Sequence, residues 1–269
     1  MQTLFETPSA YCPSDADMAA PVPPVQAVLF DFSNTLFQMI SLETWLRRVG
    51  RASGRLALLD EPDTEARISR QLRTAFRLPS VVALQQGRDL SPERHRQAMH
   101  GWWQHVDFLR GAEEAAYREL TAPDAWTPYS DTEPTLRALR SRGLRVAIVS
   151  DFAWDLRSHL AHHGLDALVD SCVISYEQGR EKPDPHLFFK ACADLGSEPR
   201  ATLMVGDNPV RDGGATACGL RSYILPAENR TGERGLADIL PLVPGPRPHC
   251  PPPAPRCPTA AAASSDTTA

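Results

Sequence analysis

Residues 28–37 read VLFDFSNTLF. A short apolar run ends in a carboxylate, Asp31, and a tight polar turn leads to Thr35. A run this short, closed by turn residues, reads as a buried strand, which puts Asp31 at the strand's carboxyl end. Two positions on, where a second carboxylate would complete a catalytic pair, stands Ser33. Working outward, four runs of the same kind follow: RVAIVS at 145–150, SCVIS at 171–175, ATLMVG at 201–206 and RSYIL at 221–225. Helical patterns alternate with them from residue 131: DTEPTLRALRSRG, WDLRSHLAHHG, DPHLFFKACADLG and RDGGATACG. Gly143, Gly164 and Gly196 close three of these, as glycines close helices. Alternating strands and helices predict an α/β fold, a Rossmann-like parallel sheet with helices on both faces.

Residues 41–122 follow another rhythm. SLETWLRRVGRASGRLALL, DTEARISRQLRTAF and SPERHRQAMHGWWQHVDFL carry apolar residues at helical spacing and few strand signals. They predict an α-helical cap over 41–122, inserted into a core made of 25–40 and 123–243. The ends, 1–24 and 244–269, are rich in Pro, Ala, Ser and Asp without periodicity and read as disordered.

An apolar share of 42% is enough for a sizeable core. The net charge of −5 gives no case for nucleic-acid binding, which rests on clustered positive charge. No apolar run reaches the ~18–20 residues of a membrane span, and the N-terminus lacks a basic start and apolar stretch of secretory type. Cys12, Cys172, Cys192, Cys218, Cys250 and Cys257 form no C-x-x-C pair and no zinc spacing. A cytoplasmic, reduced setting is expected. Lys182 and Lys190 are the only lysines, so any role that needs one has two candidates.

Ligands of open parallel sheets bind beyond the carboxyl ends of the strands. The residues there are Asp31-Phe32-Ser33-Asn34-Thr35, then Ser150-Asp151, then Gly206-Asp207-Asn208 with Asp212 beyond, and Lys182 in GREKPDPHLF just ahead of a helix. Taken singly, each is a cap, a turn residue or a solvated charge; in order, on successive connections, they form one constellation. That order resembles the haloacid dehalogenase superfamily, whose members are mostly Mg²⁺-dependent phosphatases. The likeness covers about residues 26–225. DFSNT stands for the first motif, Asp-x-Asp-x-Thr, with its third position changed; Ser150, Lys182 and GDNPVRDGGATACG stand for the other three.

The resemblance implies that Asp31 is a nucleophile forming an aspartyl-phosphate. Asp31, Asp207 and the Ser33 carbonyl would hold Mg²⁺, with Asp212 in support. Lys182 would hold the nucleophile and the phosphate, while Ser150 and backbone N–H groups near 32–35 would bind phosphate oxygens. Phe32, Asn34, Thr35, Asp151 and Asn208 complete the expected substrate contacts. Ser33 keeps the carbonyl and loses the proton carrier, a loss typically worth ~10²–10⁴ in rate. Asp151 or a cap residue such as Glu43 is then needed as base.

A dehalogenase also lacks the second Asp, but it needs no metal, against which GDNPVRD argues. A phosphonatase needs a cap lysine, and this cap has none. A phosphotransferase needs the same proton carrier as a phosphatase. The expectation is a hydrolase of a small phosphorylated metabolite, monomeric or homodimeric. The alternative is an impaired relative that binds a phosphorylated metabolite or a protein partner. In the cap, Arg47, Arg51, Arg73 and Arg77 are candidates for an anionic substrate. Trp102 and Trp103 are assigned to the cap core, and the five-residue spacing of His95, His100 and His105 argues against a metal site.

Overall fold

A computed structural model of the chain describes residues 22–226 and 232–243. The expected disordered ends, apart from residues 22–24, and Cys12, Cys250 and Cys257 lie outside the described residues.

Five strands form one parallel sheet: β1 (Ala27–Phe30), β4 (Arg145–Ser150), β5 (Ser171–Ile174), β6 (Thr202–Gly206) and β7 (Arg221–Ile224), in the order β5-β4-β1-β6-β7. β1 is central, with Phe30 opposite Ile148 of β4 on one side and Val205 of β6 on the other. Its period of two divides the core. Val28 and Phe30 join the apolar cluster on one face, Ala27 and Leu29 the cluster on the other. Helix α6 (Thr132–Ser141) covers the first face through Leu136 and Leu139, and α9 (Pro185–Leu195) covers the second through Leu187, Phe188 and Ala191. Burial on both faces explains why these strands read as continuous apolar runs rather than alternating ones.

The chain winds from β1 out to β4 and β5, then returns to the far side of β1 for β6 and β7. The winding therefore reverses beside β1, and the carboxyl ends of β1 and β6 flank the crevice where such sheets bind ligands.

The stretch between β1 and α6 holds helices α1 (Leu42–Ser53), α2 (Thr64–Ala75), α3 (Pro79–Gln85), α4 (Pro92–Trp103) and α5 (Glu113–Thr121). Ser41 caps α1 by accepting from the Thr44 N–H at 3.1 Å, and Gly54 ends it at φ 71°. These helices bury a cluster of their own around Trp45, Leu46, Ile68, Met99 and Trp103. The two chain crossings between this helical segment and the sheet pair as an antiparallel ribbon, β2 (Phe37–Met39) with β3 (Trp126–Pro128). That ribbon has no counterpart in the sequence reading, because three residues a side give no periodicity to detect. The segment RDGGATACG, expected to be helical, forms a 3₁₀ turn at Gly213–Cys218. Its paired glycines disfavour an α-helix. Cys192 and Cys218 are buried and Cys172 half-buried, all as free thiols. Among the described residues, no helix is long and apolar enough to cross a membrane.

Candidate active site

Asp31 leaves β1 with its backbone N–H bonded to the Val205 carbonyl at 2.9 Å, so the sheet fixes where its side chain begins. The side chain is 10% exposed. Its Oδ1 accepts from Lys182 Nζ at 2.8 Å and from Ser150 Oγ at 3.0 Å; neither contact uses Oδ2. Lys182 is itself buried and also donates to Asp212 Oδ1 at 2.6 Å. The other oxygen of Asp212 accepts from the Asn208 N–H at 2.9 Å. Asp31, Asp207 and Asp212 each bring a carboxylate oxygen within 4.8 Å of the others.

Gly206 makes this approach possible. A Cβ there would lie 2.2 Å from the Asp212 carboxyl carbon and 2.6 Å from its Cβ. The glycine of GDNPVRD is thus a steric requirement of the carboxylate cluster rather than of the strand.

Electrostatics follow from burial. Loss of water pushes the Asp31 carboxyl up to about 6; Lys182 pulls against this, and Asp212 and Asp207 add to it. Burial also raises Asp207, with Asp212 beside it. For Lys182 burial alone would lower the ammonium, but Asp31, Asp212 and Asp151 more than reverse this, and it stays charged. Three carboxylates thus face one ammonium. The donor set is all oxygen, crowded and short of positive charge, which fits a hard divalent cation such as Mg²⁺.

Asp31, Ser33, Asn34, Ser150, Asp151, Lys182, Asp207, Asn208 and Asp212 all line one cavity of about 680 Å³ between the sheet edge and the inserted helices. Two expected substrate contacts do not. Phe32 is fully buried, stacked on Phe37 at 4.4 Å and edge-on to Phe152 at 5.2 Å, because the strand's alternation points it into the core. Thr35 is fully buried beneath the turn, and its hydroxyl has no partner among the described residues. The backbone donors divide as well. Asn34, held at φ 56°, gives its N–H to the Phe37 carbonyl at 2.7 Å, and Thr35 gives its own to Phe32 at 3.4 Å. Those of Phe32 and Ser33 remain for a ligand among the described residues.

Asp151, half-buried, accepts from the Lys182 backbone N–H at 2.8 Å and from Arg211 at 2.6 Å, so its carboxylate oxygens are already engaged. Glu43 pairs with Arg47 on an exposed helix face and does not line the cavity. Nor do Arg47, Arg51, Arg73 and Arg77; the cavity's arginines are Arg88 and Arg211. Trp102 and Trp103 do line it, with Trp103 also in the helical core.

Sequence reasoning missed three participants. Arg211 fixes Asp151 from inside the fourth motif. Buried Arg234 donates to the Asn34 carbonyl from about 200 positions away, a pairing with no local signal. Asp89 reaches the cavity from a turn between helices, where its type and spacing say nothing.

Residues 25–219 match the model of the haloacid dehalogenase-like hydrolases. Haloacid dehalogenase-like hydrolase domain-containing protein 3 of Danio rerio is 28% identical over 238 residues, covering 81% of this chain and 91% of that one. Its Bos taurus namesake is 32% identical over 145 residues, 49% of this chain. The chain spans 58% of that protein's length and 45% of the human one's, about half the length of these mammalian relatives. Glyceraldehyde 3-phosphate phosphatase of Methanopyrus kandleri is 29% identical over 197 residues, 70% of this chain and 78% of that one. A dehalogenase crystal structure shares the fold at TM-score 0.59 and 22% identity, covering 83% of this chain and 99% of that one. Phosphatases and dehalogenases thus both stand among its relatives, and the chain belongs to the haloacid dehalogenase-like hydrolase family.

Proposed function

We propose that this protein is a Mg²⁺-dependent phosphatase acting through an aspartyl-phosphate on Asp31. The observation that carries the reading is the meeting of Asp31, Asp207 and Asp212 within 4.8 Å around one ammonium. Displacing a halide from carbon needs no cation, and there a third buried carboxylate would only add repulsion. Asp31 and Asp207 would hold the ion, with the Ser33 carbonyl and with Asp212 behind them. When bound it supplies charge neutralisation, so that an anionic nucleophile can approach an anionic phosphate.

Asp31 Oδ attacks phosphorus as the ester P–O bond breaks, and the leaving oxygen takes a proton. Water then attacks the phosphorus of the acyl phosphate, gives up a proton, and frees inorganic phosphate and Asp31. Lys182 holds the nucleophile's Oδ1 throughout, and Ser150 with the Phe32 and Ser33 N–H groups receives the phosphate oxygens. The substrate is a small phosphorylated metabolite, met in the cytoplasm by a monomer or homodimer, and the inserted helices act as the cap over it.

Ser33 leaves the two proton transfers without a local carrier, and Asp151 is committed to Arg211. Asp89 fits the vacancy. It lines the same cavity as Asp31, and Arg88 meets it at 3.5 Å, a longer contact than the 2.6 Å one that holds Asp151, while His95, at 3.8 Å, is kept neutral by burial. The Asp89 carbonyl is anchored by Ser175 Oγ at 2.6 Å, a hydroxyl that also accepts the Phe152 N–H. Burial pushes its carboxyl up to about 6, where one group serves as both acid and base near neutrality.

The test is p-nitrophenyl phosphate hydrolysis with Mg²⁺ and with EDTA. This aryl ester leaves without protonation and so tolerates a missing acid. Turnover that needs Mg²⁺ and vanishes in Asp31→Asn is expected, with a gain of about 10²-fold in Ser33→Asp. Activity only in Ser33→Asp would favour the second reading, a phosphate-binding relative without turnover, which Ser33 itself supports. No hydrolysis in any folded variant sinks the phosphatase.

A further inference from the structure

The cavity above the carboxylates exceeds what a phosphate needs. Its volume of about 680 Å³ falls among sites that enclose drug-sized ligands. All five tryptophans of the chain line it: Trp45, Trp102 and Trp103 from the inserted helices, Trp126 from the ribbon, and Trp154 from the loop after β4. Three of their indole N–H groups are turned into protein. Trp102 donates to the Leu72 carbonyl and Trp126 to the Leu120 carbonyl, both at 2.9 Å, and Trp154 points to His159 at 3.5 Å. What these three rings leave for a ligand is indole carbon, while the buried Trp45 Nε1 has no partner among the described residues.

The charged groups away from the carboxylate cluster are already matched. Arg211 holds Asp151 at 2.6 Å, and Arg88 lies 3.5 Å from Asp89 while donating to Gln85 at 2.6 Å. A second phosphate, a carboxylate or an ammonium on the ligand would enter without a counterion, at the cost of burying an unpaired charge. Over these three rings a polyol would set its hydroxyls against indole carbon, and the single N–H of Trp45 could meet only one of them.

We propose that the substrate of this site is the phosphate monoester of an uncharged, apolar, ring-bearing alcohol: the phosphate sits at Asp31 and Lys182 and the ring lies among the tryptophans. This rests on the phosphatase reading for the phosphate end only. Ring faces recognise ring faces by offset or edge-on packing, and apolar surface leaves water on both sides.

Binding is measured without turnover, by calorimetry on the full chain with Mg²⁺, comparing 1-naphthylmethylphosphonate with methylphosphonate. The naphthyl compound is expected to bind at least thirtyfold more tightly. Trp102→Ala is expected to narrow that ratio at least tenfold, and Trp154→Leu, which keeps the wall apolar, to narrow it less. Equal affinities, or no binding of the naphthyl compound, overturn the proposal, as does a ratio unchanged in both variants. p-Nitrophenyl phosphate turnover is scored separately. Tight naphthyl binding without turnover removes the phosphatase and leaves the ligand class; turnover with equal phosphonate affinities removes the ligand class and leaves the phosphatase.

Discussion

At Asp31 burial and the Lys182 charge pull in opposite directions, and at Asp89 burial is opposed in the same way by Arg88. Asp89 is the group whose titration the proposed chemistry uses. As the acid it must be protonated, below about 6; as the base it must be ionised, above that value. With p-nitrophenyl phosphate only the base role remains, so kcat is expected to rise as pH passes upward through about 6. In Asp89→Asn kcat falls by about 10²-fold or more, and the limb that remains is that of Asp31, whose carboxylate must also be ionised and is also raised to about 6. A variant with the parent's kcat removes Asp89 from the mechanism. The contrast with Glu43 and Asp151 shows what sequence holds at this scale. Residue type nominated Glu43 and Asp151 and passed over Asp89. Only the fold reveals that Glu43 pairs with Arg47 on the surface and that Arg211 holds Asp151, while Asp89 stands in the cavity. Asp31, Lys182, Asp207 and Asp212 were legible because the sheet's topology collects strand ends, and their positions relative to the strands were already in the sequence.

Among elements, the turn after β6 carries the tightest steric constraint. The five sheet strands were readable from apolar runs because burial on both faces leaves an unbroken signal. The ribbon of β2 and β3 was not: its six residues include a proline and no alternation, and it exists because the chain must leave and re-enter the sheet side by side. The turn from Gly206 to Asp212 lies between these cases. Its spacing was visible, but the reason for its first glycine was not. Replacing Gly206 with Ala drives a methyl into the Asp212 carboxyl and Cβ, neither of which can retreat without breaking the Lys182 and Asn208 contacts. Gly206→Ala is expected to lower stability by about 1–3 kcal/mol and to weaken Mg²⁺ binding. Thermal unfolding and calorimetric titration with Mg²⁺ check this, and a variant as stable and as metal-avid as the parent would show that Asp212 is not held as described.

For the whole molecule, the aromatic residues beneath the cavity link the core to its pH response. His159 is fully buried, edge-on to Phe32 at 5.8 Å and near Phe152 and Trp154; His95 is buried against Tyr117 and Trp154. Burial depresses His159 to about 4 and His95 to about 3. Both are therefore neutral in the folded protein at pH values where the unfolded chain, titrating near 6.5, binds a proton. The unfolded state binds more protons in that window, so stability rises with pH through it and is lost as pH falls from about 6.5 toward 4. Asp31 and Asp89 act with the opposite sign. Each is raised to about 6, so between about 6 and 4 the folded state binds their protons first and gains stability as pH falls. The four terms largely cancel in the parent protein, which makes a single acid titration uninformative and a difference between variants decisive. His159→Phe keeps the ring and removes the titration. Its stability relative to the parent is expected to grow as pH drops from 6.5 to 4, by at most about 1.4 kcal/mol per pH unit, read from urea unfolding at a series of pH values. A difference that stays constant across that range would mean His159 is protonated within the fold, and that the aromatic layer joining the sheet to the inserted helices is wetter than its packing implies.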